Sequence, residues 1–276
     1  MKTITSRTNP AVMLAASLKD KKTRDETGLL RFEGRTMLEE LIQRKRPCMS
    51  VFVTEKFFGK NEALVRNAEN NGFDGNKAEV YLVTDGVYDK ISEQSSPDGV
   101  LCICEKKHFV NIHDMTSGSA ENSFKCPEAS RGILICEDMR DPGNLGTVIR
   151  SAAAFGTDGV FLCGCADIYS QKSLRAAMGA AFTTGIYIFK DISDAVSLAR
   201  NNGYTVIATA LHRDAEYIEY GGLPKKCAVM IGSEGSGLSE KAIALSDKKA
   251  VIKTEMESLN AASAATLFIY LMSRNQ

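Results

Sequence analysis

Apolar residues recur along the chain in short runs, separated by longer amphipathic stretches. From the N-terminus these runs are "LLRFEG", "MSVFVT", "EVYLVT" and "GVLCICE", with helical patterns in "RTMLEELIQ" and "NEALVRNAEN" between them. Runs rich in Val, Ile, Leu and Cys between helix-period segments predict a small α/β domain over residues 1–111. The polar stretch "HDMTSGSAENSFKCPEASRG" follows, and its Ser, Gly and Asn predict a linker over residues 112–130. From Gly132 the alternation restarts with "GILICE", "GVFLCG", "TGIYIF", "YTVIATAL", "CAVMIG" and "AVIKT". These runs are continuously apolar, which predicts strands buried on both faces. A largely parallel sheet flanked by helices is therefore expected over residues 131–276. Such sheets bind ligands beyond the carboxyl ends of their strands, so the loops there are the place to look for chemistry.

Three loops carry candidate residues. In the first, Asp141-Pro142-Gly143-Asn144, Pro before Gly predicts a type II turn, with Asn144 as N-cap of the next helix. Leu145, Val148, Ile149, Ala152 and Ala153 form the core stripe of that helix. The neighbouring face is Gly143, Gly146, Thr147, Arg150 and Ala154, nearly free of bulk. Helical side chains lean toward the N-terminus, so Arg150 is aimed at the loop mouth, beside helix N–H groups that also favour anions. The other reading of Arg150 is a structural salt bridge to Asp141 or Asp138.

The second loop, "GSEGSGLSE", has three glycines in six residues, which lets a backbone approach a ligand closely around Glu234. Its other reading is a Gly-rich turn with a solvated carboxylate. The third stretch is "IKTEMESLNAASAATLFIYLMSR". There Ser258 is the expected N-cap of a helix over residues 259–272, apolar on nearly all sides. Such a helix must be buried, under the sheet or against a second subunit. Asn260 is its one polar residue that packing does not explain.

Composition changes this picture little. At 44% hydrophobic and 25% charged, 276 residues suit a globular protein of two domains. The most apolar run, residues 261–272, is shorter than the roughly 20 residues that span a bilayer. No secretory leader pattern opens the chain, so a cytoplasmic protein is expected. The eight cysteines include no C-x-x-C pair and the three histidines stand apart, so no metal site is expected; buried reduced thiols are. Charge is more informative. Residues 1–46 hold 11 Lys and Arg against 6 Asp and Glu, while the remainder holds 23 against 28. Lys21, Lys22 and Arg24 within "KDKKTR" are either a phosphate-binding arm or a solvated face.

Taken in order, the loops resemble the motifs of the SpoU (TrmH-type) branch of the SPOUT RNA methyltransferases. The matches read D-P-G-N-L-G-T-x-I-R-x-A-x-A-F-G, G-S-E-G-x-G-L and S-L-N-x-x-x-A. "YSQKSLRAAMGAAF" is similar to the stretch between the first two motifs, and "KDKKTRDETGLLRFEGRTMLEEL" resembles the ribosomal-protein-like RNA-binding domain often fused to that family. The resemblance implies a C-terminal parallel sheet threaded as a trefoil knot, an exception to the rule against knots. It also implies a bound S-adenosylmethionine, a homodimer and transfer of a methyl group to a ribose 2′-hydroxyl, with ribosomal RNA favoured over transfer RNA. Thr209, Ala210, Leu211, Gly232, Ile252, Ser258 and Leu259 would line the cofactor pocket. Asn144, Arg150, Glu234 and Asn260 match catalytic or site-forming positions.

Lys21, Lys22, Arg24, Arg35, Lys172 and Arg175 are the residues expected to bind RNA. The third motif departs from the pattern, with Lys253 where the family has proline, so the cofactor's adenine edge is the part most affected. The family proposal makes Arg150 a proton acceptor. A guanidinium of pKa above about 12 is better suited to clamping a phosphate and orienting a ribose. Two rival classes remain: an RNA-binding ribosome-assembly protein without catalysis, and a nicotinamide oxidoreductase, which the missing G-x-G-x-x-G disfavours.

Overall fold

The computed structural model describes the chain except residues 74, 110–111, 117–123, 125, 210–215, 219–221, 256–258 and 275–276. The chain folds as two compact units, Met1–Val110 with Tyr169–Gly179, and Asn111–Ile168 with Ala180–Gln276.

In the first unit β1 (Lys2–Ile4), β2 (Leu29–Glu33), β3 (Ser50–Thr54), β4 (Glu79–Val83) and β5 (Val100–Glu105) form a mixed sheet of order β1-β4-β3-β5-β2. β1, β4 and β3 run parallel, and β5 runs antiparallel to both β3 and β2. The helices α1 (Pro10–Ser17), α2 (Lys21–Thr27), α3 (Arg35–Gln43), α4 (Glu55–Asn70) and α5 (Asp85–Ile91) fall between these strands in sequence. Val12 and Leu18 share a core with Phe52, Tyr88, Leu101 and Ile103.

The second unit contains β6 (Ile112–Asp114), β7 (Ile133–Glu137), α6 (Pro142–Phe155) and β8 (Gly159–Cys163). After α7 (Gln171–Ala177) come β9 (Ile186–Phe189), α8 (Ile192–Asn201), β10 (Thr205–Thr209), β11 (Glu216–Tyr217), β12 (Cys227–Ile231), α9 (Glu240–Ala244), β13 (Lys248–Val251) and α10 (Ala261–Ser273). The eight strands lie in the order β11-β13-β10-β12-β7-β8-β9-β6, and every pairing is parallel. The continuous apolar runs explain this layer. Ile133, Leu134, Ile135 and Cys136 of β7 are fully buried, as are Ala228, Val229 and Met230 of β12. Each large apolar side chain so buried contributes about 1.5–3 kcal/mol.

Two segments depart from the sequence-based division. Residues 112–114, expected within a linker, are β6 and pair with β9. Phe124, from the same stretch, is 5% exposed and packs edge-on against Phe161 and Tyr187. One large aromatic in a polar run suffices to dock that part of the chain. The second segment is α7, which groups with the first unit. Gln171 Nε2 donates to the Glu33 carbonyl at 3.1 Å, and the Lys106 ammonium lies over the Tyr169 ring.

All eight cysteines are free, and only Cys126 and Cys165 are less than fully buried. Burial pushes the Cys165 thiol up to about 11, so little of it is thiolate at neutral pH. Titration of the native protein with a disulfide reagent at pH 7.5 should therefore show one fast thiol, Cys126. All eight should react once the protein is denatured. Several fast native thiols would contradict this packing.

Candidate active site

The three loops follow β7, β12 and β13, and the all-parallel order β13-β10-β12-β7 brings their carboxyl ends to one edge of the sheet. β12 lies between β7 and β10, with Ile231 beside Cys136 and Met230 beside Ala208. The loop after β7 leads into α6. Its N-cap is Asp141, whose side chain accepts from Asn144 N at 2.8 Å, and Pro142 occupies the first helical turn. This corrects the type II turn and the Asn144 cap expected from the sequence. Proline at the helix start needs no N–H partner, so the helix begins three residues earlier. The Asn144 side chain is thereby released from capping.

Its amide enters a relay that joins all three motifs. Glu234 can only accept, so Asn144 Nδ2 donates to Glu234 Oε1. The Asn144 carbonyl oxygen is then left to accept from Asn260 Nδ2 at 3.2 Å. Asn260 in turn uses its own Oδ1 to accept from Ala262 N and Ser263 N, at 3.0 and 3.2 Å. Asn260 is therefore the N-cap of α10. The cap expected at Ser258 is corrected; Ser258 itself lies outside the described residues. The polar residue that packing left unexplained has both a capping and a bridging task.

The glycine loop is folded tightly on itself. Ser233 and Gly237 exchange backbone hydrogen bonds at 3.1 and 3.0 Å, and Gly237 has φ +67°. A Cβ on Gly232 would stand 2.1 Å from the Gly237 carbonyl carbon and 2.3 Å from Leu238 N. Only glycine allows that crossing. The loop forms one wall of a cleft of about 480 Å³, within the range of small-molecule sites. Of the residues expected to hold a cofactor, Thr209, Gly232, Ile252 and Leu259 line this cleft. Ala210 and Leu211 lie outside the described residues. Ile231, Leu238, Ile243 and Phe268 add apolar lining that sequence reasoning did not assign. Leu238 sat in the quoted second motif, and the all-round apolar pattern of α10 was the available signal for Phe268. Lys253 is exposed and is not part of the lining, whereas Thr254 is.

Arg150 is exposed and makes no hydrogen bond or ion pair among the described residues. It lies six residues beyond Asn144, about 9 Å along the axis of α6. The alternative of a structural salt bridge is not realised, since Asp138 pairs with Arg140 and Asp141 caps α6. Among the described residues no group of His, Cys, Asp and Glu could hold a metal ion, and no helix is long and apolar enough to cross a membrane.

The residues expected to bind RNA divide. Arg24 is a correction. Its side chain is 5% exposed, and Nη1 donates to the carbonyls of Leu18 and Lys19 at 2.7 and 2.6 Å. It closes the end of α1 and cannot face a phosphate. Lys21, Lys22 and Arg35 are exposed and pair with Asp25, Glu26 and Glu39 one helical turn away. Such surface pairs contribute only about 0.3–0.5 kcal/mol, so they open readily for a stronger anion. Lys172 and Arg175 are exposed on α7, three residues apart on one face, and belong to the same unit.

The chain as a whole is similar to known proteins in sequence and in fold. Residues 131–270 match the SpoU rRNA Methylase family, and residues 9–102 match the MRM3-like substrate binding domain. The chain belongs to the SpoU rRNA methylase family. It is 27% identical, over 98% of both chains, to 23S rRNA (guanosine(2553)-2'-O)-methyltransferase RlmP of Bacillus subtilis (strain 168). Mitochondrial rRNA methyltransferase 3 of Xenopus tropicalis is 25% identical over 91% of this chain and 71% of its own. The crystal structure of an AdoMet-bound rRNA methyltransferase from Sinorhizobium meliloti matches with a TM-score of 0.77 at 26% identity. That match covers 99% of this chain and 97% of the other.

Proposed function

We propose that this chain is an S-adenosylmethionine-dependent methyltransferase acting on a ribose 2′-hydroxyl of ribosomal RNA. The observation that carries the reading is the hydrogen-bonded relay of Asn144, Glu234 and Asn260 at the glycine-loop cleft. The cleft fits the cofactor's chemistry. Ile231, Leu238 and Phe268 offer an apolar bed for a purine, and the glycine loop offers close backbone approach for polar groups. When bound, S-adenosylmethionine supplies an electrophilic methyl group on a sulfonium centre.

The protein's own residues would do the rest. Arg150 presents a planar fork of donors suited to a phosphate and the adjoining ribose hydroxyl. Donation to the 2′-oxygen favours its deprotonated form, and the proton passes to solvent. Asn144, Glu234 and Asn260 would hold the three loops at a fixed spacing, which matters because reacting atoms must be kept within about 3–3.5 Å. Calorimetry should give a dissociation constant for S-adenosylmethionine in the micromolar range, about 8 kcal/mol. No binding up to millimolar cofactor would overturn the reading and leave an RNA-binding protein without catalysis.

The first unit would capture the RNA through Lys21, Lys22, Arg35, Lys172 and Arg175. Replacing Lys21 and Lys22 with Ala should flatten the salt dependence of RNA binding by up to about 0.7–0.9 log units for each phosphate no longer neutralised. Cofactor affinity should stay as it is. Unchanged affinity and slope would mean that these lysines form only a solvated face. The working unit would be a homodimer: Leu267 and Tyr270 of α10 remain 42% and 37% exposed, and the Tyr270 ring packs edge-on against Phe155 of α6. Light scattering should then give about twice the 30.0 kDa chain mass, and a monomer with full activity would exclude it. The insertion of β12 between β7 and β10 supports the trefoil knot, and the free thiols support a reducing, cytoplasmic setting.

A further inference from the structure

Glu137 ends β7 and has no part in the chemistry above, yet its carboxylate is committed twice to a single residue. Ser239 N donates to Oε2 at 2.8 Å, and Ser239 Oγ donates to Oε1 at 2.7 Å. Ser239 is the last residue of the glycine loop and the N-cap of α9, with Oγ accepting from Ala242 N at 3.1 Å. The loop leaves β12 at Ile231, which lies beside Cys136 in the sheet, so its exit passes the end of β7.

Three restraints therefore act on this wall of the cleft. Glu234 holds its middle to α6 through Asn144, and Glu137 holds its exit to β7. Beyond the loop, Lys241 donates to both oxygens of Asp191, the N-cap of α8, at 2.6 and 2.7 Å. Leu238 anchors the preceding residue in the core, and Glu137 adds the polar clamp that fixes where the exit turns into α9. A carboxylate suits the task because both donors of Ser239 converge on it and it has two accepting oxygens.

We infer that Glu137 is a positioning residue of the cofactor cleft, seating the glycine loop by clamping Ser239. The inference rests on the reading of that cleft as the S-adenosylmethionine site. Glutamine keeps one acceptor for Ser239 N and can donate to Oγ, so Glu137→Gln should preserve the clamp where Glu137→Ala removes it.

The test compares the full-length wild type with E137A, E137Q and S239A by hydrogen exchange of residues 232–239 and by calorimetric titration with S-adenosylmethionine. In E137A the loop amides should exchange about tenfold faster and the dissociation constant should rise about tenfold, the scale of losing one or two hydrogen bonds. Strands β7 and β12 should keep their protection, and E137Q should stay within about threefold of wild type on both readouts. S239A also strips the α9 N-cap, so the double variant E137A/S239A should fall short of the sum of the two single effects rather than match E137A. Wild-type loop exchange and cofactor affinity in E137A would overturn the inference, even with a lowered melting temperature. Should E137A fail to fold, S239A, which loses the Oγ bond and keeps the backbone N–H bond to Glu137, should still speed loop exchange, and wild-type exchange there would overturn the inference. If the wild type binds no S-adenosylmethionine, the cofactor reading fails, while the exchange data still decide whether Glu137 seats the loop.

Discussion

Arg150→Ala should slow methyl transfer to RNA about a thousandfold, the scale of removing one donor that stabilises developing charge. The fold has no stake in this side chain, which is exposed and makes no hydrogen bond or ion pair among the described residues. Its stability and its S-adenosylmethionine affinity should therefore match the wild type, confining the loss to RNA positioning and methyl transfer. Arg150→Lys should recover little, because an ammonium cannot present two parallel donors to a phosphate and a ribose. Near-normal turnover in the alanine variant would remove Arg150 from the mechanism.

Gly232→Val should act on the opposite half of the site. Its Cβ would lie 2.1 Å from the Gly237 carbonyl carbon, a distance that requires the loop backbone to move. Such overpacking costs about 1–3 kcal/mol, and here it falls on the cleft wall, so cofactor affinity should drop by about a hundredfold. RNA affinity should hold, because the residues proposed to capture RNA belong to the other unit. Intact cofactor affinity in this variant would mean that the cleft is not the cofactor site. Mixing this variant with Arg150→Ala asks a further question. If each active site takes Arg150 from one protomer and the cleft from its partner, mixed dimers regain activity; if each site is built within one chain, they do not.

Much of this was legible in the sequence, for identifiable reasons. The parallel sheet could be read because strands buried on both faces must be continuously apolar, as in "GILICE" and "CAVMIG". The three clustered glycines mark Gly232 and Glu234, and Asn260 is the polar residue without a packing reason, whereas Asn144 reads locally as a helix cap and enters the site through the family motif. The caps were misread by two or three residues, since Asp141, Asn144, Ser258 and Asn260 are all competent N-caps; Pro142 is the local signal that favours Asp141, and the bond to Asn144 accompanies the cap at Asn260. Arg24 was misread because charge counting cannot tell a surface guanidinium from one turned inward onto backbone carbonyls. Glu137 was passed over because its partner is about a hundred residues away in sequence, and only the β7–β12 register brings them together. The placement of α7 with the first unit has the same origin: a hydrogen-bond partner at Glu33 that no local pattern announces.

The central claim is that this cleft and Arg150 serve methyl transfer to a ribose oxygen. The most direct measurement incubates the protein with unmethylated ribosomal RNA and S-adenosylmethionine carrying a deuterated methyl group, followed by nucleoside mass spectrometry. The account predicts label in a 2′-O-methyl nucleoside with wild type and about a thousandfold less with Arg150→Ala. Label on a base, or none on any RNA despite micromolar cofactor binding, would contradict it.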